Sequence, residues 1–182
     1  MATTKHTIVA LVEDKPGVLN RVVSLFRRRG FNIERIAVGG SELPHISRMT
    51  IVVDGANTVV EQVRKQLDKV IDTVKVFDIG NDEAIFRELA LIRVKATSAT
   101  RGEIIEIVDI FRANIVDVAS DSVVIEVTGD EDKIESLLNL LRGFGIKEIA
   151  RTGWIAMTRG GSGTLQVGGK VSAVRANKSK AE

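Results

Sequence analysis

The 182-residue sequence contains no cysteine and only two histidines, His6 and His45. The first absence removes disulfides, thiolate nucleophiles and zinc-thiolate sites together, and two histidines are too few for most metal sites. No apolar run approaches the roughly 20 residues that a membrane helix needs. An export signal is not expected either: residues 1–6 are polar, and the apolar run 8–12 is too short before Glu13 and Asp14 interrupt it. These absences predict a cytoplasmic protein from which much enzyme chemistry is already excluded.

What is present looks globular. The chain is 44% hydrophobic and 27% charged, close to the soluble average, and its length suits one domain or two small ones. The formal net charge of +2 invites a nucleic-acid reading until the charge is located. Residues 159–182 carry five basic groups and one acidic, which leaves 21 basic and 23 acidic groups, a net of −2, on residues 1–158. A folded body without a positive surplus is a poor candidate for tracking a phosphate backbone.

One pattern occurs twice. Residues 5–12 read as a β-branched strand that ends at the cluster Glu13, Asp14, Lys15, Pro16, Gly17. Val18, Leu19, Val22, Val23, Leu25 and Phe26 then recur at helical spacing, with Arg27, Arg28 and Arg29 in the last turn and Gly30 at C′. Strands follow at 32–39 and 47–53. A capping-box pair, Thr58 with Glu61, opens a second helix, and a strand at 74–79 closes the unit. The second copy has a strand at 88–96 and a capping box of Thr100 with Glu103. Short strands at 115–119 and 123–128 come next, then a helix opened by Asp130 with Gly143 past its end, and one last strand over 147–157. Strand, helix, strand, strand, helix, strand is the ferredoxin-like βαββαβ order. The expectation is an α+β protein of two tandem ferredoxin-like domains, 1–80 and 85–159, followed by a flexible tail, 160–182, rich in Gly, Ser, Lys and Ala. Domains this small bury little surface and leave sheet edges open, so a partner surface is expected.

Catalytic chemistry finds no candidate. Gly169 and Lys170 are preceded by Thr164 where a Walker A loop needs glycine, no Gly-x-Gly-x-x-Gly follows a strand, and the Asn177–Lys178–Ser179 sequon is a chance match without secretion. Carboxylates are scattered, with no histidine or cysteine beside them. One turn suits a ligand. At the junction of the first strand and helix, unpaired N–H groups and the helix dipole can hold a carboxylate, Gly17 allows close approach, and Asp14 offers charge for an ammonium group. Together they suit the two ends of an α-amino acid. The simpler alternative is that Asp14 or Lys15 merely ends the strand, Pro16 sits at N1 and Gly17 only turns the chain. Asn32, at the start of the second strand, offers an amide donor and acceptor beside the same edge, or else a local turn bond. The arginine run and His45 read as solvated, and Trp154 as core or interface.

These residues carry a resemblance. Residues 12–34, VEDKPGVLNRVVSLFRRRGFNIE, resemble an ACT domain, a ferredoxin-like module that binds amino acids between copies. SRMTI at 47–51, RELALIRV at 87–94 and IFRANIVDV at 110–118 narrow it to the small, regulatory subunits of acetolactate synthase (acetohydroxyacid synthase), over about residues 5–159. The resemblance implies a non-catalytic chain that binds a large subunit using thiamine diphosphate, FAD and magnesium, raises its activity and confers feedback inhibition by valine or another branched-chain amino acid. No cofactor is expected in this chain, and neither nucleic acid nor membrane among its partners.

The resemblance also implies a homodimer or higher oligomer, with two ACT domains pairing around the amino acid. Asp14, Gly17 and Asn32 would hold its charged ends, with Pro16 in the same turn, and Val18, Leu19 and Ile33 would line an apolar pocket. Asp14 stands where the family often has asparagine, and the tail departs from the family pattern. The second domain has Thr100, Arg101, Gly102 where the first has the Pro-Gly turn, so no equivalent site is expected there. Two other classes remain: a free-standing amino-acid sensor acting on another enzyme, and an RNA-binding module, which would need strand aromatics that the first and third strands lack.

Overall fold

The computed structural model describes residues 5–54, 57–79 and 84–160, apart from the side chains of 57–59. The boundary expected near 80–85, the pairing of Thr58 with Glu61 and the expected tail fall wholly or largely outside the described residues. Those residues form two compact units: the chain through Ile85 together with the segment from Ala156, and Phe86–Ile155. Both show the expected order, so the chain is an α+β protein in which a βαββαβ pattern occurs twice.

In the first unit, β1 (Lys5–Glu13) is followed by α1 (Val18–Arg29), β2 (Ile33–Gly40), β3 (Ile46–Asp54), α2 (Asn57–Leu67) and β4 (Thr73–Ile79). The antiparallel sheet runs β2-β3-β1-β4, with β2 and β4 at its edges. Alternate β1 residues Ile8, Ala10 and Val12 meet Val18, Val22, Leu25 and Phe26 of α1 and Val60, Val63 and Leu67 of α2 in one core. The other face of β1 is buried as well, with Leu11 beside Ile46 and Val74 and Thr7 and Val9 at most 1% exposed. Burial on both faces explains why β1 reads as a continuous apolar run rather than an alternating one. Gly30 ends α1 in the left-handed region at φ 68, its N–H directed at Arg27 and Phe26 carbonyls, the C′ role its position predicts.

After β4 come β5 (Ala84–Lys95), α3 (Arg101–Ile110), β6 (Asn114–Val118), β7 (Ser122–Gly129), α4 (Glu131–Leu141), a 3-10 turn, β8 (Ile146–Arg151) and β9 (Ile155–Thr158); residues 84–85 of β5 and 156–158 of β9 group with the first unit and the rest form the second. Its sheet runs β6-β7-β5-β8, and β9 also pairs with β5. Ile92, Val94, Ile104, Ile125, Ile134 and Leu137 lie at its core. Asp130 caps α4 as expected, accepting from the Lys133 N–H at 3.0 Å.

Two expectations fail here. The last strand is not continuous over 147–157: Gly153 has φ 77, and Thr152 binds the Leu89 backbone, so β8 stops and β9 starts afresh. Thr100 precedes α3 but does not cap it, because its backbone is helical (φ −100, ψ −12) whereas an N-cap side chain needs an extended residue to reach the first turn. The Thr100 hydroxyl instead accepts from the Thr97 N–H at 3.0 Å.

Candidate functional site: the start of the first helix

The turn between β1 and α1 is built by backbone. Asp14 N–H donates to the His45 carbonyl at 2.8 Å, Val18 N–H to the Lys15 carbonyl at 3.3 Å and Arg21 N–H to the Gly17 carbonyl at 3.0 Å. Gly17 is the N-cap, in the left-handed region at φ 86 and ψ −7, and no side chain caps the helix. That conformation needs glycine for its φ rather than for space, since an added Cβ would meet nothing within 4 Å. Pro16 therefore lies at N′, two positions before the N1 place that the simpler alternative gives it. The first turn of α1 carries no acidic residue, so the positive end of its dipole faces solvent uncompensated by its own side chains.

Asp14, Pro16 and Gly17 are exposed around this helix start. Leu19 is 46% exposed while Val18 is buried at 3%, packed into the core under the turn. His45, also with positive φ at 62, contributes its carbonyl to the turn. Ser41 shapes the loop before it, donating to the Ile46 carbonyl at 2.8 Å and accepting from Leu43 N–H at 3.2 Å. One turn into the helix, Arg21 forms an ion pair with the buried Asp72. Neither His45 nor this pair was legible in the sequence: the Arg21–Asp72 partners are 51 residues apart, and His45 acts through its carbonyl, which every residue has.

Asn32 and Ile33 do not lie beside the same edge end as this turn. Ile33 is level with Val53, which is level with His6, whereas Gly40 is level with Ser47 and so with Val12. Helix α1 returns the chain to the far end of the sheet before β2 begins, so Asn32 of one copy sits about seven strand residues, or roughly 23 Å, from the turn that follows Glu13. A single amino acid, with its amino and carboxylate groups on one carbon, cannot reach both. The exposed Asn32 amide and the half-buried Ile33 meet Asp14 and Gly17 only across two copies.

Strand β2 is an open edge of the sheet, to which a second copy could add. Leu19 and Val23 lie on the side of α1 turned away from α2, and with Val38 of β2 they are 42–47% exposed. An antiparallel pairing of β2 with the β2 of a second copy, if centred on Ile36, would set the copy's Asn32 level with Gly40 and hence with the turn. At the corresponding start of α3, Arg101 donates to the carbonyls of Ala119 at 2.8 Å and Ser120 at 3.2 Å, so a guanidinium group fills that corner. Trp154 packs against Phe86, ring centroids 5.8 Å apart. Among the described residues no group of three or more His, Cys, Asp or Glu side chains could hold a metal, and no helix is long and apolar enough to cross a membrane.

Comparison with known proteins gives this architecture its relatives. A family model described as the small subunit of acetolactate synthase matches residues 87–160, and one described as an AHAS small subunit-like ACT domain matches residues 8–75. The "Probable acetolactate synthase small subunit" of Archaeoglobus fulgidus is 61% identical over 86% of this chain and 98% of its own length. The acetolactate synthase small subunit of Mycobacterium bovis is 49% identical over 90% and 97%. The crystal structure of the acetolactate synthase small subunit from Thermotoga maritima matches with a TM-score of 0.82 and 43% identity, covering 86% of this chain and 98% of that one. With both of its halves matched in order, this chain belongs to the acetolactate synthase small-subunit family.

Proposed function

We propose that this chain is the regulatory subunit of an acetolactate synthase: it binds the catalytic large subunit, raises its activity and makes it sensitive to valine or another branched-chain amino acid. Thiamine diphosphate, FAD and magnesium belong, on this reading, to the large subunit. The effector sits between two copies of the first unit, at the β2 edge. Its carboxylate faces the N–H groups at the start of α1, its ammonium group faces Asp14, and Asn32 of the second copy completes the polar contacts. Leu19 and the copy's Ile33 flank the branched side chain, while Val18 supports the turn from the core.

The observation that carries this reading is an uncapped, left-handed glycine at the start of α1, on a turn that can meet Asn32 only from another copy. A helix start whose N–H groups no side chain satisfies favours a small carboxylate, and a site shared between copies links effector binding to their arrangement. The effector switches activity only as far as it binds the activating and inhibited arrangements differently; a coupling of roughly 1–3 kcal/mol would be ordinary.

Acetolactate formation by the matching large subunit, with and without this protein and across a valine titration, tests the reading. Stimulation reversed by valine supports both roles. Stimulation indifferent to valine, leucine and isoleucine keeps the subunit role and discards the amino-acid site. Absence of stimulation points to a sensor acting on a different enzyme.

A further inference from the structure

The amino-acid site uses one flank of α1 and leaves the other without a role. On that other flank an open groove of about 520 Å3 runs between α1 and the turn that follows α2. Arg21, Arg27, Arg28 and Lys69 line it over a floor that includes Leu25 and Val70, and no aspartate or glutamate is in its lining. Ile71 stands at its side 87% exposed. Arg29 donates to the Gln66 side chain at 3.2 Å, tying the ends of α1 and α2 together, so the two walls are fixed relative to each other.

Three arginines in the last turn of α1 complement its dipole, but that accounts for neither Lys69, which arrives from another element, nor the bare isoleucine beside it. We infer that this groove docks an acidic polypeptide segment bearing an apolar residue, contributed by the large subunit; the inference rests on the proposed function and adds the surface through which it operates. Arg21 is already paired with Asp72, so the groove offers Arg27, Arg28 and Lys69, two cations on one helix and one on another element, an arrangement that matches carboxylates distributed along a chain rather than one compact anion. Ile71 supplies the apolar contact that gives such a segment a fixed register.

Other occupants fit less well. A second copy would bring the same cations to the same cations across a two-fold axis. Nucleic acid would meet a body with no basic surplus and a groove lined by no aromatic residue for bases to stack on.

The test is affinity for the purified large subunit at low and high salt, using full-length wild type, the double variant Arg28→Glu/Lys69→Glu, and Ile71→Ser, which leaves the charge untouched. All the side chains changed are exposed, and thermal melting and oligomer size report on folding. The double variant is expected to bind about tenfold more weakly and to lose most of the salt dependence that wild type shows, Ile71→Ser to bind a few-fold more weakly, and valine affinity to stay at the wild-type value in both. Wild-type affinity in folded variants overturns the groove assignment alone, whereas wild type that fails to bind the large subunit overturns the proposed function and the groove with it. Retained large-subunit binding together with displacement of a groove-bound reporter by inorganic phosphate would replace the segment with a small anion and so overturn the assignment.

Discussion

If the turn and Asn32 meet only across two copies, two defective proteins should repair each other. Gly17→Asp places a carboxylate where the effector's carboxylate would lie, and Asn32→Ala removes the amide that the neighbouring copy contributes. Each variant alone is expected to lose valine binding in calorimetry. Gly17 and Asn32 are separated within one copy by roughly 23 Å of strand, so no intrachain adjustment of a folded sheet closes the gap. In a mixed dimer, one of the two sites combines both altered residues and the other combines Gly17 and Asn32 intact. Random exchange makes roughly half of the dimers mixed, each with one working site of two, so the mixture should recover about a quarter of the wild-type capacity at wild-type affinity. The two proteins are denatured and refolded together, then titrated with valine, with separately refolded samples as controls. Full loss of binding in a mixture whose exchange has been verified by mass would refute the shared site; so would wild-type binding by either variant alone.

Further predictions follow from the folded structure. Gly17→Ala is expected to cost about 1–2 kcal/mol in urea unfolding through its left-handed backbone alone, and an unchanged midpoint would mean that the turn relaxes freely. Glu88, whose side chain is 1% exposed, receives two bonds from Arg151 at 2.8 and 2.7 Å, and Arg151 reaches Glu135 as well. Arg151→Met should therefore destabilise by about 3 kcal/mol, because it takes the paired cation away from a buried carboxylate, while the double change with Glu88→Met should restore most of the loss; equal loss in single and double variants would contradict this. Asp121 is held below its ordinary pKa of 3.8 by the hydrogen bond and charge of Lys147. Its folded pKa being the lower one, it adds stability above the unfolded value that disappears as pH falls through the folded value, so Asp121→Asn should flatten the acid limb of stability against pH below about 4 and leave its shape near neutrality unchanged.

How much of this could be read without the structure differs from residue to residue. Gly30 and Asp130 were legible because a left-handed helix end and an N-cap are local problems with few chemical solutions. Thr100 has the same local signature as a cap, yet Thr97 three residues earlier competes for its hydroxyl, and a spacing rule does not weigh that competition. The last strand read as continuous because its apolar residues run on through the break; the structure interrupts it where Gly153 turns the chain and Thr152 anchors to Leu89.

The sequence by itself determined the order of elements, the duplication, the absence of metal-thiolate chemistry and the glycine turn at the start of the first helix, because each depends on periodicity or on the conformational range of a few neighbouring residues. Only the tertiary structure decided where those residues lie relative to one another. Helix α1 carries the chain back along the sheet, so Asn32, fifteen positions after Gly17, ends at the opposite end of the sheet and can serve the turn only from a second copy. Packing of α1 against α2 likewise gathers Arg21, Arg28, Lys69 and Ile71 into one groove, since proximity between elements is set by which apolar faces bury each other and not by separation along the chain.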